Sequence, residues 1–112
     1  MNPTPQAQIV LCTCPPDGTA VALAKTLVER RLAACVNIVD AVTSVYRWQG
    51  QVVEDGESLL VIKTTAGHFQ ALEAVIVAEH PYELPEIVAV PIEQGLAPYL
   101  TWLDAETTLS DH

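Results

Sequence analysis

The stretch that decides the fold is residues 35–65, CVNIVDAVTSVYRWQGQVVEDGESLLVIKTT. Side chains alternate here with a period of two, so that Ser44, Tyr46 and Trp48 share one face of a strand. Gln49-Gly50 is typical of a tight hairpin turn. Each arm of about 14 residues would span roughly 45 Å, well over twice the length of a typical strand. We therefore expect the arms to project beyond a small sheet and to contact a partner.

Strands and helices alternate on both sides of this hairpin. The flanking elements predicted from periodicity, prolines and caps are, in chain order, a strand at residues 9–13, a helix at about 19–32, a helix between Thr65 and Pro81, a strand at 86–93 and a short helix from Pro98. The order β-α-β-β-α-β with an extra C-terminal helix is the ferredoxin-like arrangement of an α+β domain. A chain of 112 residues is too short to split, so we predict a single domain over residues 1–112 with an ordered core at about 8–105.

In this topology the first and third strands are central and the fourth lies at an edge. Residues 9–13 and 59–62 are apolar on both faces, whereas helices cover only one face of such a sheet. The simplest explanation is that other copies of the chain pack against the second face of the sheet. Proline cannot donate to a strand ladder, so Pro91 fits the edge position.

Local signals predict several finer features. Asp17 is placed either to cap the first helix or to lie as an acid in its first turn, and Thr65 is placed to cap the second. Asp55-Gly56 indicates a bulge or a second bend in the hairpin. The polar residues 106–112 are typical of a frayed tail.

The charge balance excludes several classes of function. Fourteen Asp and Glu against five Lys and Arg give a net charge of −9, yet half of the residues are hydrophobic and the mean hydropathy is +0.28. A nucleic-acid binder needs a basic face, and an anionic membrane would repel this chain. Disordered chains are poor in apolar residues. The remaining class is a compact acidic domain with enough apolar surface to favour an oligomer.

Cysteine usage and the chain start indicate the compartment. Three cysteines, an odd number, favour reduced thiols over a disulfide framework. The first residues carry neither the positive charge nor the apolar stretch of a signal peptide, and the longest apolar runs are too short for a membrane span. We therefore expect a cytoplasmic, soluble protein.

Six motifs resemble one known family. In chain order they are LCTCPPD, ERRLAACVNI, SVYRWQG, IKT, EHPYELPEIVAVPI and YLTWL, and they cover the chain from about residue 9 to residue 103. Their order and spacing are similar to those of the CutA family of divalent-cation tolerance proteins. The resemblance implies a ferredoxin-like homotrimer whose long hairpins cross between subunits. It also implies a role in tolerance to copper and other divalent metals.

The resemblance implies a metal site as well. Cys12 matches a cysteine implicated in copper binding in some members, and His80 with the residue before it matches a His-His pair. Because Glu79 replaces the first histidine, the expected ligands of copper or another divalent metal ion are Cys12, Glu79 and His80. A carboxylate is a harder ligand, which favours Cu(II) or zinc over Cu(I).

Each of these residues also has a structural interpretation. Cysteine in a central strand is often a small buried hydrophobic residue, and an imidazolium at the end of a helix interacts favourably with the helix dipole. Cys12-x-Cys14 places two thiols on one strand face, although a single such pair is a weak metal signal. Cys35 is expected to pack in the core, and His68 and His112 are given no role.

The aromatic residues are expected to be structural. Tyr46 and Trp48 lie on one hairpin face, and Tyr99 and Trp102 lie three apart on the last helix. Aromatic side chains on projecting elements are typical of subunit-interface anchors. The alternative is a ligand-binding cage.

Three classes of function remain, of which a non-enzymatic, trimeric metal-tolerance protein is the first. The second is a trimeric sensor of small molecules or nucleotides bound in clefts between subunits. Its candidate phosphate ligands are Arg30, Arg31, Arg47 and Lys63. The overall acidity of the chain is unfavourable to phosphate binding. The third is an acylphosphatase-like enzyme, by analogy of fold alone. Its phosphate loop would be Cys14-Pro15-Pro16-Asp17, where two prolines remove N–H donors. We therefore expect no enzymatic activity.

Overall fold

The computed structural model describes residues 6–108 and has an α+β architecture. The elements are β1 (Ala7–Cys14), α1 (Thr19–Glu29), β2 (Cys35–Trp48), β3 (Gln51–Thr65), a 3-10 turn (Ala66–His68), α2 (Phe69–Glu79), β4 (Val88–Pro91) and α3 (Ala97–Thr107). One antiparallel sheet has the strand order β2-β3-β1-β4. The predicted element order is confirmed, including the C-terminal helix. His112 lies outside the described residues.

The strand order places β1 and β3 in the centre and β4 at an edge, as predicted. All eight residues of β1 pair with β3, from Ala7 opposite Thr65 to Cys14 opposite Ser58. On its other side β1 pairs with β4, where Pro91 lies opposite Gln8. The expected strand at residues 86–93 is only four residues long, because residues 81–87 form a bent loop instead.

The hairpin has the predicted length and turn. Its strands are 14 and 15 residues long, and the turn residues Gln49 and Gly50 have φ angles of 50° and 80°. Two successive positive φ angles define the type I′ turn, whose twist matches that of the paired strands. The molecule measures 51 Å along its longest axis and 22 Å along its shortest.

The bulge lies on the other strand from the one we predicted. At Asp55-Gly56 strand β3 pairs regularly with β2, so that prediction is wrong. The register shifts in β2, where Asp40 and Ala41 together oppose Ser58, and Ala41 has a φ angle of 61°. The Ser58 hydroxyl donates to Asp40 Oδ1 at 2.9 Å, which gives the bulge a polar contact across the two strands.

The helix ends differ from the prediction in three places. Helix α1 stops at Glu29 rather than near residue 32, because Arg31 adopts a left-handed conformation with a φ angle of 58°. The Thr65 hydroxyl contacts His68 Nδ1 at 2.6 Å rather than capping a backbone N–H. Helix α3 continues to the buried Thr107, so the predicted fraying from residue 106 is wrong up to that point.

Asp17 lies one residue before Gly18, the N-cap of α1, and contacts the first helical residue from there. Asp17 Oδ1 accepts hydrogen bonds from the backbone N–H of Thr19 at 3.1 Å and from its hydroxyl at 2.6 Å. These bonds lower the pKa of the Asp17 carboxyl below its usual value. The first turn of α1 is therefore fixed beside the end of β1.

The main core lies between the sheet and helices α1 and α2. Its fully buried members with the largest side chains are Leu27, Leu60, Ile62, Leu72, Ile76 and Val10, together with Cys12 and Cys14. On the opposite face Leu103 of α3 packs with Ala7 and Ala34. The rest of that face remains open in a single chain, and large apolar side chains of the hairpin, β4 and α3 are exposed.

Replacing Leu60 by Ala tests the position of this core. Leu60 is fully buried, so we expect Leu60→Ala to lower the free energy of unfolding by about 2–5 kcal/mol. Leu84→Ala removes the same atoms from a side chain that is 70% exposed, and we expect a change of about 0.5 kcal/mol or less. Chemical denaturation followed by circular dichroism at one protein concentration measures both. Equal losses in the two variants would contradict the assignment.

Candidate metal centre

Cys12 and Cys14 lie on the same face of β1, because side chains in a strand alternate between faces. Their strand neighbours on β3 are Leu60 and Ser58. Both sulfurs point into the core beneath α1 and α2, and neither residue is exposed to solvent. β1 therefore presents two neighbouring thiols inside the protein.

His80 reaches these thiols from the end of α2. Its backbone N–H donates to the carbonyl of Ile76 at 2.8 Å and closes the helix, after which the chain becomes extended, with ψ of 136° at His80. Pro81 follows and cannot continue the helix. The imidazole turns back towards β1 and is only 8% exposed.

Hydrogen bonds fix the tautomer of this imidazole. The backbone N–H of Tyr82 donates to Nδ1 at 3.1 Å, so Nδ1 carries the lone pair. Nε2 lies 2.7 Å from the carbonyl oxygen of Thr13 and therefore carries the proton that it donates there. Backbone groups therefore hold both ring nitrogens of His80.

The three side chains form a compact cluster. One ligand atom from each of Cys12, Cys14 and His80 lies within 4.8 Å of the other two. Two sulfurs and one imidazole nitrogen are donors that suit zinc and copper. The donor set and its spacing therefore fit a metal ion of that kind.

The two thiols differ in acidity. A hydrogen bond to Cys14, followed by burial, raises the pKa of the Cys12 thiol, and the charges of Glu86 and Glu57 raise it further. The same hydrogen bond lowers the pKa of Cys14. Cys14 is therefore the more acidic member of the pair.

Of the three ligands expected from the resemblance, the structure brings two together. Glu79 is the last residue of α2 and is exposed, so it does not join Cys12 and His80. Its place in the cluster is taken by Cys14. The signal for Cys14 was present in the sequence as the Cys12-x-Cys14 spacing, but that spacing alone does not show that a histidine approaches the same strand face.

A cleft of about 770 Å³ adjoins the cluster. It lies between the far half of the hairpin and the loop after α2. Its lining includes Thr13, Tyr46, Arg47, Trp48, Asp55, Glu57, Tyr82, Glu83 and Glu86. Four carboxylates and one arginine make this cleft acidic.

Glu57 is buried at the edge of this cleft, with 6% of its surface exposed. The Tyr82 hydroxyl donates to Glu57 Oε2 at 2.8 Å. Burial, followed by this bond to a carboxylate, raises the pKa of Tyr82 above its usual value of 10.0. Nearer the hairpin tip, the exposed Tyr46 hydroxyl donates to Asp55 in the same way.

The remaining candidates lie outside the cluster. Cys35 is half-buried rather than packed in the core. Burial of the Tyr99 phenol raises its pKa, and the nearby Cys35 thiol raises it further. The rings of Tyr99 and Trp102 are tilted by 38° with their centres 5.5 Å apart, and both remain partly exposed. His68 contacts Thr65.

The sheet, the long hairpin and the buried thiol–imidazole cluster define a small ferredoxin-like protein with a candidate metal centre. The model of the CutA1 divalent ion tolerance protein family matches residues 8–106. The chain belongs to this family, which confirms the resemblance found in the sequence motifs.

Individual relatives agree with this assignment. A divalent-cation tolerance protein CutA of Thermus thermophilus is 55% identical over 100 residues, which are 89% of this chain and 97% of that protein. A solved structure of divalent cation tolerance protein Cut A1 from Thermus thermophilus superposes with a TM-score of 0.89 at 54% identity, covering 91% of this chain and 99% of that one.

Two further solved structures carry descriptions that bear on function. The PII-like protein CutA from Nostoc, in apo form, superposes with a TM-score of 0.84 at 34% identity, covering 92% of this chain and 99% of that one. A structure of CutA from Archaeoglobus fulgidus, described as periplasmic, superposes with a TM-score of 0.88 at 34% identity. The match covers 91% of this chain and 99% of that one. Within residues 6–108 of the present chain, no helix combines the length and the apolar character needed to cross a membrane.

Tyr82→Phe tests the buried contact with Glu57. Loss of a hydrogen bond to a buried carboxylate should lower the free energy of unfolding at pH 7 by about 1–3 kcal/mol. The raised pKa of Tyr82 means that the folded protein holds the phenolic proton more tightly than the unfolded chain. This contribution is complete below pH 10 and is lost as the pH rises further. The variant should therefore lose less stability than the parent between pH 9.5 and pH 11.

Denaturant titrations at several pH values measure this effect. Tyr46→Phe is the matched control, because it removes the same atom from an exposed contact with Asp55. We expect it to cost about 0.5 kcal/mol or less at pH 7. Parallel pH profiles for Tyr82→Phe and the parent would show that Tyr82 does not contribute as described.

Proposed function

We propose that the chain is a trimeric, cytoplasmic, non-enzymatic divalent-cation tolerance protein that binds copper or another divalent metal ion. The observation that carries the proposal is the convergence of Cys12, Cys14 and His80, whose ligand atoms lie within 4.8 Å of one another. Glu79 is left out of the proposed ligand set because its side chain is exposed at the end of α2.

The surroundings of the cluster support a metal role. Thiolate and imidazole are the ligands that copper and zinc share, and the Nε2–H of His80 donates to a backbone carbonyl, as is usual for metal-binding histidines. The net charge of −9 raises the local concentration of cations around the protein. The names of the relatives associate them with divalent cations.

The same geometry favours binding over catalysis. A thiol beside an imidazole is the pair that nucleophilic enzymes use. Here both sulfurs are buried, and both nitrogens of His80 are engaged by backbone groups. A substrate would have to open the core to reach them. The loop after β1 contains Pro15 and Pro16, which donate no N–H to a phosphate.

Exposed apolar surface supports the trimer. The hairpin exposes Val45 and Val52 to 64% and 67%, and Trp48 and Trp102 are each about 40% exposed. These residues lie on elements that extend beyond the core of one chain. Apolar and aromatic side chains of this kind are typical of interface centres.

The cysteines support a cytoplasmic location. Cys12, Cys14 and Cys35 are all free thiols, and thiols of this kind persist in reducing compartments. A metal centre that depends on two of these thiols would need them reduced. The periplasmic description belongs to the Archaeoglobus relative.

The second candidate function is a small-molecule or nucleotide sensor. The cleft beside the cluster and the PII-like description of the Nostoc relative favour it. The lining opposes phosphate groups, because Asp55, Glu57, Glu83 and Glu86 surround a single cation, Arg47. We therefore place metal binding first.

Calorimetric titration of the metal-free, reduced protein tests the proposed metal site. We expect one Cu(II) or Zn(II) ion per chain. Loss of a residue that only hydrogen-bonds to a metal ligand typically lowers metal affinity by about 10–100-fold. We expect Cys12→Ala and His80→Ala, which remove ligands, to lower it by more. Glu79→Ala, next to His80 in sequence but outside the cluster, should bind as the parent does. Circular dichroism confirms that each variant is folded. Parental stoichiometry and affinity in both site variants would rule out the site.

Sedimentation in solution tests the trimer. Three chains of 12.1 kDa have a mass of about 36 kDa. Val52→Glu places a charge on the exposed hairpin surface and should shift the protein to smaller species, because an unpaired charge is costly in an interface. Val21→Glu, on the outer face of α1, is the matched control and should leave the mass unchanged. A monomeric parent protein would contradict the proposal.

A further inference from the structure

The cleft beside the thiol–imidazole cluster contains a buried carboxylate whose charge has no partner within the described chain. Glu57 lines this cleft and is only 6% exposed. Tyr82 donates a hydrogen bond to Oε2, whereas among residues 6–108 no donor reaches Oε1 and no lysine, arginine or histidine forms an ion pair with Glu57. Buried charges in proteins are normally paired. The Oε1 atom is therefore suited to a cationic hydrogen-bond donor that comes from outside the chain.

The single cation of the cleft lining does not supply this charge. Arg47 donates through Nη1 to the carbonyl of Gly50 at 3.4 Å, which holds its guanidinium at the hairpin turn. The register between β2 and β3 also puts Asp55 and Glu57 on the opposite hairpin face from Arg47. The negative charge at the inner end of the cleft is therefore not neutralised by Arg47.

Aromatic rings line the cleft on both sides. Tyr46 and Trp48 lie on the hairpin, and Tyr82 lies on the loop after α2. The two tyrosine hydroxyls donate to Asp55 and Glu57, so they hold the carboxylates in place without neutralising them. Aromatic faces attract ammonium groups and also pack against apolar groups. The cleft therefore combines fixed negative charge with apolar walls.

The spread of the carboxylates suits an organic cation better than a bare metal ion. The acidic residues of the lining are Asp55, Glu57, Glu83 and Glu86. Within the part of the chain that the structure describes, no three of them converge, and the only group of three metal-ligating side chains is the thiol–imidazole cluster. The volume of about 770 Å³ lies in the range of small-molecule sites. Size and charge together indicate a small organic cation.

We propose that this cleft binds a primary amine, whose ammonium group donates to Oε1 of Glu57 and whose apolar body packs between Tyr46, Trp48 and Tyr82. The amine is primary because Oε1 needs an N–H donor, which a quaternary ammonium lacks. The inference goes beyond the proposed metal function, since no residue of the thiol–imidazole cluster lines the cleft. It gives the second candidate function, a small-molecule sensor, a ligand opposite in charge to a nucleotide phosphate.

The two tryptophans of the chain allow a test with an internal control. Trp48 lines the cleft, whereas Trp102 lies on α3 outside it. Phenethylamine or tryptamine is titrated into the reduced, metal-free protein in its native oligomeric state, and the indole N–H signals are followed by NMR. We expect a saturable shift of the Trp48 signal at one ligand per chain and none of the Trp102 signal. Phenethyl alcohol, which has the same body without the charge, should bind about 10-fold more weakly or less.

Two carboxylate variants test the role of Glu57. Glu57→Gln keeps the size of the side chain and an acceptor for the Tyr82 hydroxyl but removes the charge, so amine affinity should fall by about 10-fold or more while alcohol affinity stays the same. Glu54→Gln removes an equal charge from an exposed residue outside the lining and should bind the amine as the parent does. Circular dichroism and sedimentation show whether each variant keeps its fold and assembly.

Three results would overturn the inference. They are the lack of a saturable Trp48 shift with either amine, equal affinities of the parent for phenethylamine and phenethyl alcohol, and equal losses in Glu57→Gln and Glu54→Gln. The comparison of amine and alcohol uses the parent protein, so it decides the question even if Glu57→Gln does not fold. Metal titration of the parent remains a separate measurement, and failure of the amine site would leave its result unchanged.

Discussion

The antiparallel ladder between β1 and β3 is the constraint on which the rest of the structure depends. All eight residues of β1 are paired with β3, and the alternation of side chains then fixes which residues face the helices. Val10, Cys12 and Cys14 are on that face, and all three are fully buried. A shift of one residue would move both thiols to the opposite face. The candidate metal centre is therefore a consequence of strand register.

Much of the fold was predictable because its signals are local. The turn at Gln49-Gly50 and the edge position of Pro91 follow from backbone chemistry that only a few residues satisfy. The bulge was not predictable in this way. Gly56 was the stronger local signal, yet the register shift falls at Ala41, whose left-handed conformation carries no mark in the sequence. Where strands of 14 and 15 residues must align along their whole length, pairing overrides local preference.

The candidate site was predictable only in part, for a different reason. The motifs pointed to Cys12 and His80, and strand alternation put Cys14 beside Cys12. Which of Glu79 and Cys14 joins His80 depends on where α2 ends. Glu79 is the last helical residue, and His80 turns away from the helix axis with ψ of 136°. Glu79 and His80, although adjacent in the chain, therefore point in different directions, and Cys14 of β1 supplies the second sulfur of the cluster. Helix ends are the least predictable part of a sequence pattern.

Tyr82 connects the cluster with the neighbouring cleft. Its backbone N–H donates to Nδ1 of His80, and its hydroxyl donates to the buried Glu57 in the cleft. Its ring also lies 4.7 Å from that of His80, centre to centre. The acidity of the surface attracts cations without choosing among them, whereas a buried set of two sulfurs and one imidazole would favour metals that accept those donors.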